Sequence, residues 1–262
     1  MNYQFLFNQS DYIIITTIAL VTVCFCTFWF LFVSPVFRQK IYTKYAGDTG
    51  IILHLLTLKY TGFILLGILP VLIFLFLFPS FSLASLGIAY NPATFNESIM
   101  WIAGLGIPIV IVMRFACRRK NCFEVYPQIR VQEWDTWLIV RYCTAWTFFM
   151  IGYEIMFRGL LLFPLVNTLG VWPAIAINTL FYVGSHLPKG TGETYAALFF
   201  GPLLCIITLQ TGTVWAAAFI HVILAVSNSM VALKFHPDFK VVKKRLPVNA
   251  SQCEMGCKCD TF

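Results

Sequence analysis

Glu154 and Arg158 stand one helical turn apart, at i and i+4, inside the long apolar stretch Thr136–Leu169. That spacing puts both side chains on one face of a helix. His186 closes a second apolar run that opens near Trp172, and His221 lies inside a third, from about Val214 to Leu233. A carboxylate, a guanidinium and two imidazoles are costly within hydrocarbon, and such residues mark functional sites. Together they suit hydrolysis. A carboxylate flanked by an imidazole can take a proton from water, and a second imidazole can donate to a developing oxyanion in a dry cavity. The bland alternatives are an internal Glu154–Arg158 ion pair and a hydrogen-bonded structural histidine. Glu154, His186 and His221 also match the ligand types of a two-His, one-carboxylate metal site, but the spacing is unlike His-Glu-x-x-His. Neither a metal nor another cofactor is expected.

The elements must bring these groups together. Glu154 precedes the turn Asn167–Gly170 and His186 follows it by a similar number of residues. In a helical hairpin both groups reach roughly 20–25 Å from the turn at 1.5 Å per residue. His221 enters from the turn Thr211–Gly212–Thr213 and lies roughly 12 Å from it by the same rise. It is therefore expected off the level of His186, needing tilt, a kink at Pro202 or a bridging water. Tyr153, Ser185 and Asn228 are auxiliary polar groups near this constellation. With a pKa of about 10, the Tyr153 phenol is no base at neutral pH, and its hydroxyl is given no obligatory role. Lys189 and Glu193 read first as a solvated turn, with Glu193 as a possible substrate contact at the cavity mouth.

The chain has 262 residues, 59% hydrophobic and 11% charged, where a soluble domain carries roughly 25% charged residues. This indicates an all-α, polytopic transmembrane bundle with about seven spans. The division expected is 1–135 for N-terminal helices and loops, 136–235 for a catalytic helical core, and 236–262 for a basic, cysteine-containing tail. Spans are expected near Tyr12–Val33, Tyr60–Pro79, Ser98–Met113, Thr136–Leu169 (tilted, or broken near Gly152), Trp172–His186, Thr194–Leu209 and Val214–Leu233. A separate short interfacial helix is expected over Ile51–Leu58, and a polar connection over Glu124–Asp135.

The net charge of +7 brackets apolar runs, so it reads as membrane orientation rather than nucleic-acid binding. With the N-terminus outside, the inner loops and tail hold every Lys and Arg except Arg141 and Arg158, and the outer segments hold none. The C-terminus is then inside. Nine cysteines form no disulfide framework. The tail Cys259-Asp260-Thr261-Phe262 lacks the aliphatic residues of a prenylation signal.

Tyr153-Glu154-Ile155-Met156-Phe157-Arg158-Gly159, Tyr182-Val183-Gly184-Ser185-His186 and His221 resemble three motifs of the CAAX-protease and bacteriocin-processing (Abi) family of intramembrane glutamic proteases. Those motifs are Glu-Glu-x-x-x-Arg, Phe-x-x-x-His and His-x-x-x-Asn. Glu154 matches the second glutamate, and Arg158, His186 and His221 match the arginine and the two histidines. Tyr153 stands at the first glutamate, Tyr182 at the Phe and Ala225 at the Asn. The resemblance implies an endopeptidase in a bacterial cytoplasmic membrane, acting on a membrane-associated peptide or protein through glutamate-activated water. With the first glutamate replaced, Glu154 is expected to be the base itself, acting with His186. The alternative is a catalytically inactive member serving as an immunity or partner-binding protein, which Tyr153 and Ala225 favour. The oligomeric state is not readable.

Overall fold

A computed structural model describes residues 7–118 and 120–245, without the side chains of residues 120 and 121. The tail cysteines Cys253, Cys257 and Cys259 lie outside the described residues. The helices are α1 (Gln9–Val33), α2 (Pro35–Lys44), α3 (Gly47–Leu77), α4 (Pro92–Ala116), α5 (Lys120–Val125), α6 (Thr136–Leu169), α7 (Val171–Gly184), α8 (Thr191–Thr211) and α9 (Trp215–Phe235). Two two-residue strands, β1 (Glu133–Trp134) and β2 (Lys240–Val241), pair in parallel.

Local sequence sets where several helices start. Asn8 and Asp11 form a reciprocal capping box at α1, and Ser34 caps α2 ahead of Pro35. Asp135 accepts from the Leu138 amide at 2.7 Å to start α6. Each satisfies amides that have no partner within the helix. Gly170, at φ +86°, makes the sharp turn from α6 into α7, a conformation that glycine adopts without strain.

Among the described residues, six helices are long and apolar enough to cross a membrane: α1, α3, α4, α6, α8 and α9. The seventh apolar run gives α7, only 14 residues long. At about 1.5 Å per residue it is too short for a core of about 30 Å. The expectation of about seven spans thus becomes six full-length helices and one short helix that stops just before His186.

Other boundaries also differ from expectation. Ile51–Leu58 is no separate interfacial helix. It is the first part of α3, which runs on through a π-helical segment, Phe63–Ile68. α6 does not break near Gly152. It continues through a second π-helical segment, Ile155–Leu162, every residue of which is buried. Widened turns keep the backbone bonded while re-aiming side chains, so the helix needs no break. The connection Glu124–Asp135 is not simply polar, since Ile129, Val131 and Trp134 are buried and Glu133–Trp134 pairs with β2.

The two π segments sit near each other because glycines bring their helices close. A Cβ on Gly152 would stand 2.9 Å from the Phe63 Cα, and one on Gly67 would stand 2.8 Å from the Gly152 Cα. Small residues allow such backbone approach, which drives association where both helices already sit in lipid. Gly67→Ala should therefore destabilise the bundle by about 1–3 kcal/mol, read as a lower midpoint in thermal unfolding of the detergent-solubilised protein. An unchanged midpoint would show that α3 and α6 can separate freely.

The end of the bundle without basic residues is plugged. The segment before α4 folds inward, with Leu86 fully buried. The Val214 amide donates to the Gly87 carbonyl at 2.9 Å, and the Trp215 indole donates to the Ile88 carbonyl at 3.0 Å. At the opposite end, Arg245 and Asp48 form a 2.6 Å ion pair.

Candidate active site

α6, α7 and α9 bring the four principal residues into the core, where Glu154 and Arg158 are fully buried and His186 and His221 are each 6% exposed. Glu154 is the last residue before the second π segment and Arg158 lies within it. The Arg158 Nε is 3.3 Å from Glu154 Oε2, and its Nη1 donates to Oε1 at 3.5 Å. Nη2 donates to the Gly201 carbonyl of α8 at 3.2 Å, and the guanidinium lies 4.4 Å from the Tyr182 ring centroid. A planar donor fork suits this role of holding a carboxylate against two other elements.

The other side of the carboxylate meets His221. Its Nδ1 is 2.6 Å from Glu154 Oε1. The carboxylate accepts, so Nδ1 carries the proton and Nε2 holds the lone pair in the neutral ring. His221 is thus level with Glu154, contrary to the depth reading. Counting residues from the Thr211–Thr213 turn places that turn at the surface. Thr211, Thr213 and Val214 are in fact buried under the inward-folded segment that holds Gly87 and Ile88. The start of α9 is recessed, which carries His221 to the Glu154 level without a bridging water.

His186 does not pair with Glu154. Its Nδ1 donates to the Tyr182 carbonyl at 2.9 Å, one turn back, with the Ser185 hydroxyl 3.2 Å away. That bond also leaves Nε2 with a lone pair. Between the two imidazoles stands Tyr153, its ring centroid 6.3 Å from that of His186 and 5.6 Å from that of His221, edge-on to both. The Tyr153 and Ser185 hydroxyls are 2.5 Å apart, and Ser185 donates to the Tyr182 carbonyl at 2.6 Å. Because the serine proton is committed there, the Tyr153 hydroxyl donates to Ser185.

Two auxiliary residues lie elsewhere. Asn228 accepts from the Cys117 thiol at 3.5 Å. Glu193 accepts from the Tyr126 hydroxyl at 2.9 Å and pairs with Lys189 at 3.8 Å. Burial and the nearby Glu193 carboxylate push the Tyr126 phenol well up, which keeps it a donor. The Lys189–Glu193 turn is therefore anchored at the basic end rather than freely solvated.

Sequence reasoning missed Asn178. Its amide, fully buried on α7, donates to the Phe157 carbonyl inside the π segment and accepts from the Cys205 thiol at 3.3 Å. A lone amide mid-way along an apolar helix was the available signal. Among the described residues no three His, Cys, Asp or Glu side chains converge as metal ligands. Glu154 and His221 meet, but His186 is turned to a backbone carbonyl.

Residues 135–227 match the Rce1-like family, described as type II CAAX prenyl endopeptidases. No curated protein and no solved structure gives a significant match. The matched segment opens at Asp135, the N-cap of α6, and contains Glu154, Arg158, His186 and His221. The resemblance read from the three short motifs thus extends over continuous sequence: residues 135–227, about a third of the chain, are similar to the Rce1-like family of type II CAAX prenyl endopeptidases.

Proposed function

We propose that this chain is an intramembrane endopeptidase that hydrolyses a peptide bond of a membrane-associated, prenyl-bearing substrate. The observation that carries this reading is the 2.6 Å bond from His221 Nδ1 to a carboxylate that Arg158 holds from the other side. A carboxylate that fixes one imidazole nitrogen orients the ring and strengthens the other nitrogen as a base. Glu154 is fully buried with its oxygens turned to Arg158 and His221, so it works through His221 rather than meeting water itself. This changes the role expected from the sequence, where Glu154 was the base and His186 its partner.

Water gives its proton to His221 Nε2 while its oxygen attacks the carbonyl carbon. The imidazolium that forms faces Glu154, which stabilises it, and the same proton passes to the amine as the C–N bond breaks. His186, with Nδ1 fixed on a carbonyl, offers Nε2 as an acceptor that holds the water. Ala225 removes the amide donor of the motif. The Tyr153 hydroxyl, 2.5 Å from that of Ser185, supplies the hydrogen bond to the oxyanion by swinging from Ser185 to it.

Access is from the basic end, since the opposite end is plugged by the segment around Leu86. By the positive-inside rule, the basic end faces the cytoplasm.

The test is purified protein in lipid nanodiscs with a peptide carrying a farnesylated cysteine followed by three residues, its fragments read by mass spectrometry. Wild type should release the three-residue fragment. Tyr153→Phe should lower kcat by about 10²-fold, the scale for one oxyanion donor, with KM little changed. Unaltered kcat in Tyr153→Phe would remove the hydroxyl from the mechanism. An intact peptide with folded wild type would remove the peptidase reading.

A further inference from the structure

Lys59 is a buried lysine with no carboxylate partner among the described residues. It lies on α3 just before the first π segment and is 3% exposed. Its ammonium sits 3.6 Å from the Trp146 ring centroid and 4.3 Å from that of Phe149, both on α6. Among the described residues it makes no ion pair or hydrogen bond. The charged group within electrostatic reach is another cation, Lys189. Aromatic faces attract an ammonium, but they replace only part of the hydration it loses, and an unpaired buried charge is a costly feature. A lysine kept only for packing would be better served by methionine.

Its position relates it to the proposed site. Phe63 and Gly67 of α3 pack at the level of Gly152, so Lys59 stands toward the basic end from that level. Phe149, beneath its ammonium, packs on Tyr153, with ring centroids 6.3 Å apart. Tyr153 in turn touches His186 and His221. Lys189 follows His186 in the chain and acts electrostatically on both His186 and Lys59. Glu193 pairs with Lys189, whereas no carboxylate among the described residues pairs with Lys59. From Phe149 to Glu154 is about 8 Å along the helix, or about two or three extended residues.

We propose that Lys59 is a specificity-determining residue that binds the free carboxylate at the C-terminus of the peptide substrate, about two or three residues beyond the bond to be cut. This rests on the peptidase reading of the site. The peptide lies with its C-terminus toward the basic end. The ammonium takes the carboxylate in charge-assisted hydrogen bonds, while the Trp146 and Phe149 faces keep water away. The site selects chain ends over internal peptide bonds, because an internal segment brings no charge to Lys59.

The test is equilibrium binding and cleavage of two farnesylated peptides, identical except that one ends in a carboxylate and the other in a carboxamide. Wild type, Lys59→Met and Lys59→Arg are compared in phosphatidylcholine nanodiscs. Wild type should bind the carboxylate peptide about 10-fold or more tighter than the amide. Lys59→Met should reduce that preference to within about 2-fold by weakening the carboxylate peptide alone. Retained amide binding shows that the variant is folded, and Lys59→Arg should keep most of the preference. Equal binding of both peptides by wild type, or an unchanged preference in Lys59→Met, overturns the assignment. So does a Lys59-dependent affinity for phosphatidylglycerol in the nanodisc with no peptide preference, which would make the ligand a lipid phosphate. Cleavage separates the two readings: a preference in binding without cleavage by wild type sinks the peptidase, and cleavage without preference sinks only the role of Lys59.

Discussion

Glu154→Gln should lower kcat by about 10⁴-fold while leaving the protein folded and inserted. That is the scale of loss when the carboxylate orienting a catalytic imidazole becomes an amide. Glutamine fills the same volume between Arg158 and His221. It cannot present two acceptor oxygens, and it no longer stabilises the imidazolium that forms when His221 takes the proton. His221→Ala should fall about as far. The double variant should be little worse than either alone, because the two side chains act as one unit. Rates of all three on the farnesylated peptide, with thermal unfolding as the control for folding, check this. Multiplying losses in the double variant would show that Glu154 and His221 act separately.

Arg158→Met should be severe in a different way. Glu154 is fully buried, and the guanidinium is the cation beside it. Removing one partner of a buried pair strands the other, at a cost of about 3–5 kcal/mol. The variant should unfold at a clearly lower temperature and be inactive. Replacing both partners by neutral side chains should recover stability, since a buried pair contributes little net of its desolvation. Glu154→Gln combined with Arg158→Met should therefore be more stable than Arg158→Met alone, yet still inactive. Thermal unfolding of the three variants separates the pair's structural role from its chemical one. Equal instability of the double and single variants would mean that Arg158 holds the fold through the Gly201 carbonyl and the Tyr182 ring rather than through Glu154.

The helices and the identity of the central residues were legible because their signals are strong and local. Apolar runs longer than a bilayer specify spanning helices, and an i, i+4 carboxylate–guanidinium pair inside one stands out. What was not legible depends on backbone irregularities with no comparable signal. The π segment after Glu154 has an ordinary apolar sequence, and so does the one in α3. The inward fold around Leu86 recesses the start of α9 and puts His221 beside Glu154, whereas counting residues from a turn assumes that turns lie at the surface. The partner of His186 is the Tyr182 backbone carbonyl, which side-chain motifs do not reveal. By sequence, Lys59 reads as one of the loop cations that orient the bundle. Only its burial over Trp146 and Phe149 distinguishes it from the others.

The most direct test of the Glu154–His221 mechanism is cleavage in oxygen-18 water. Purified wild type and Glu154→Gln are incubated with the farnesylated peptide in nanodiscs, and the products are weighed by mass spectrometry. Wild type should yield a new carboxylate at the farnesylcysteine carrying oxygen-18 from water, and folded Glu154→Gln should yield almost none. Equal labelled product from both proteins would contradict that mechanism, leaving Glu154 as no more than the structural counter-ion of Arg158.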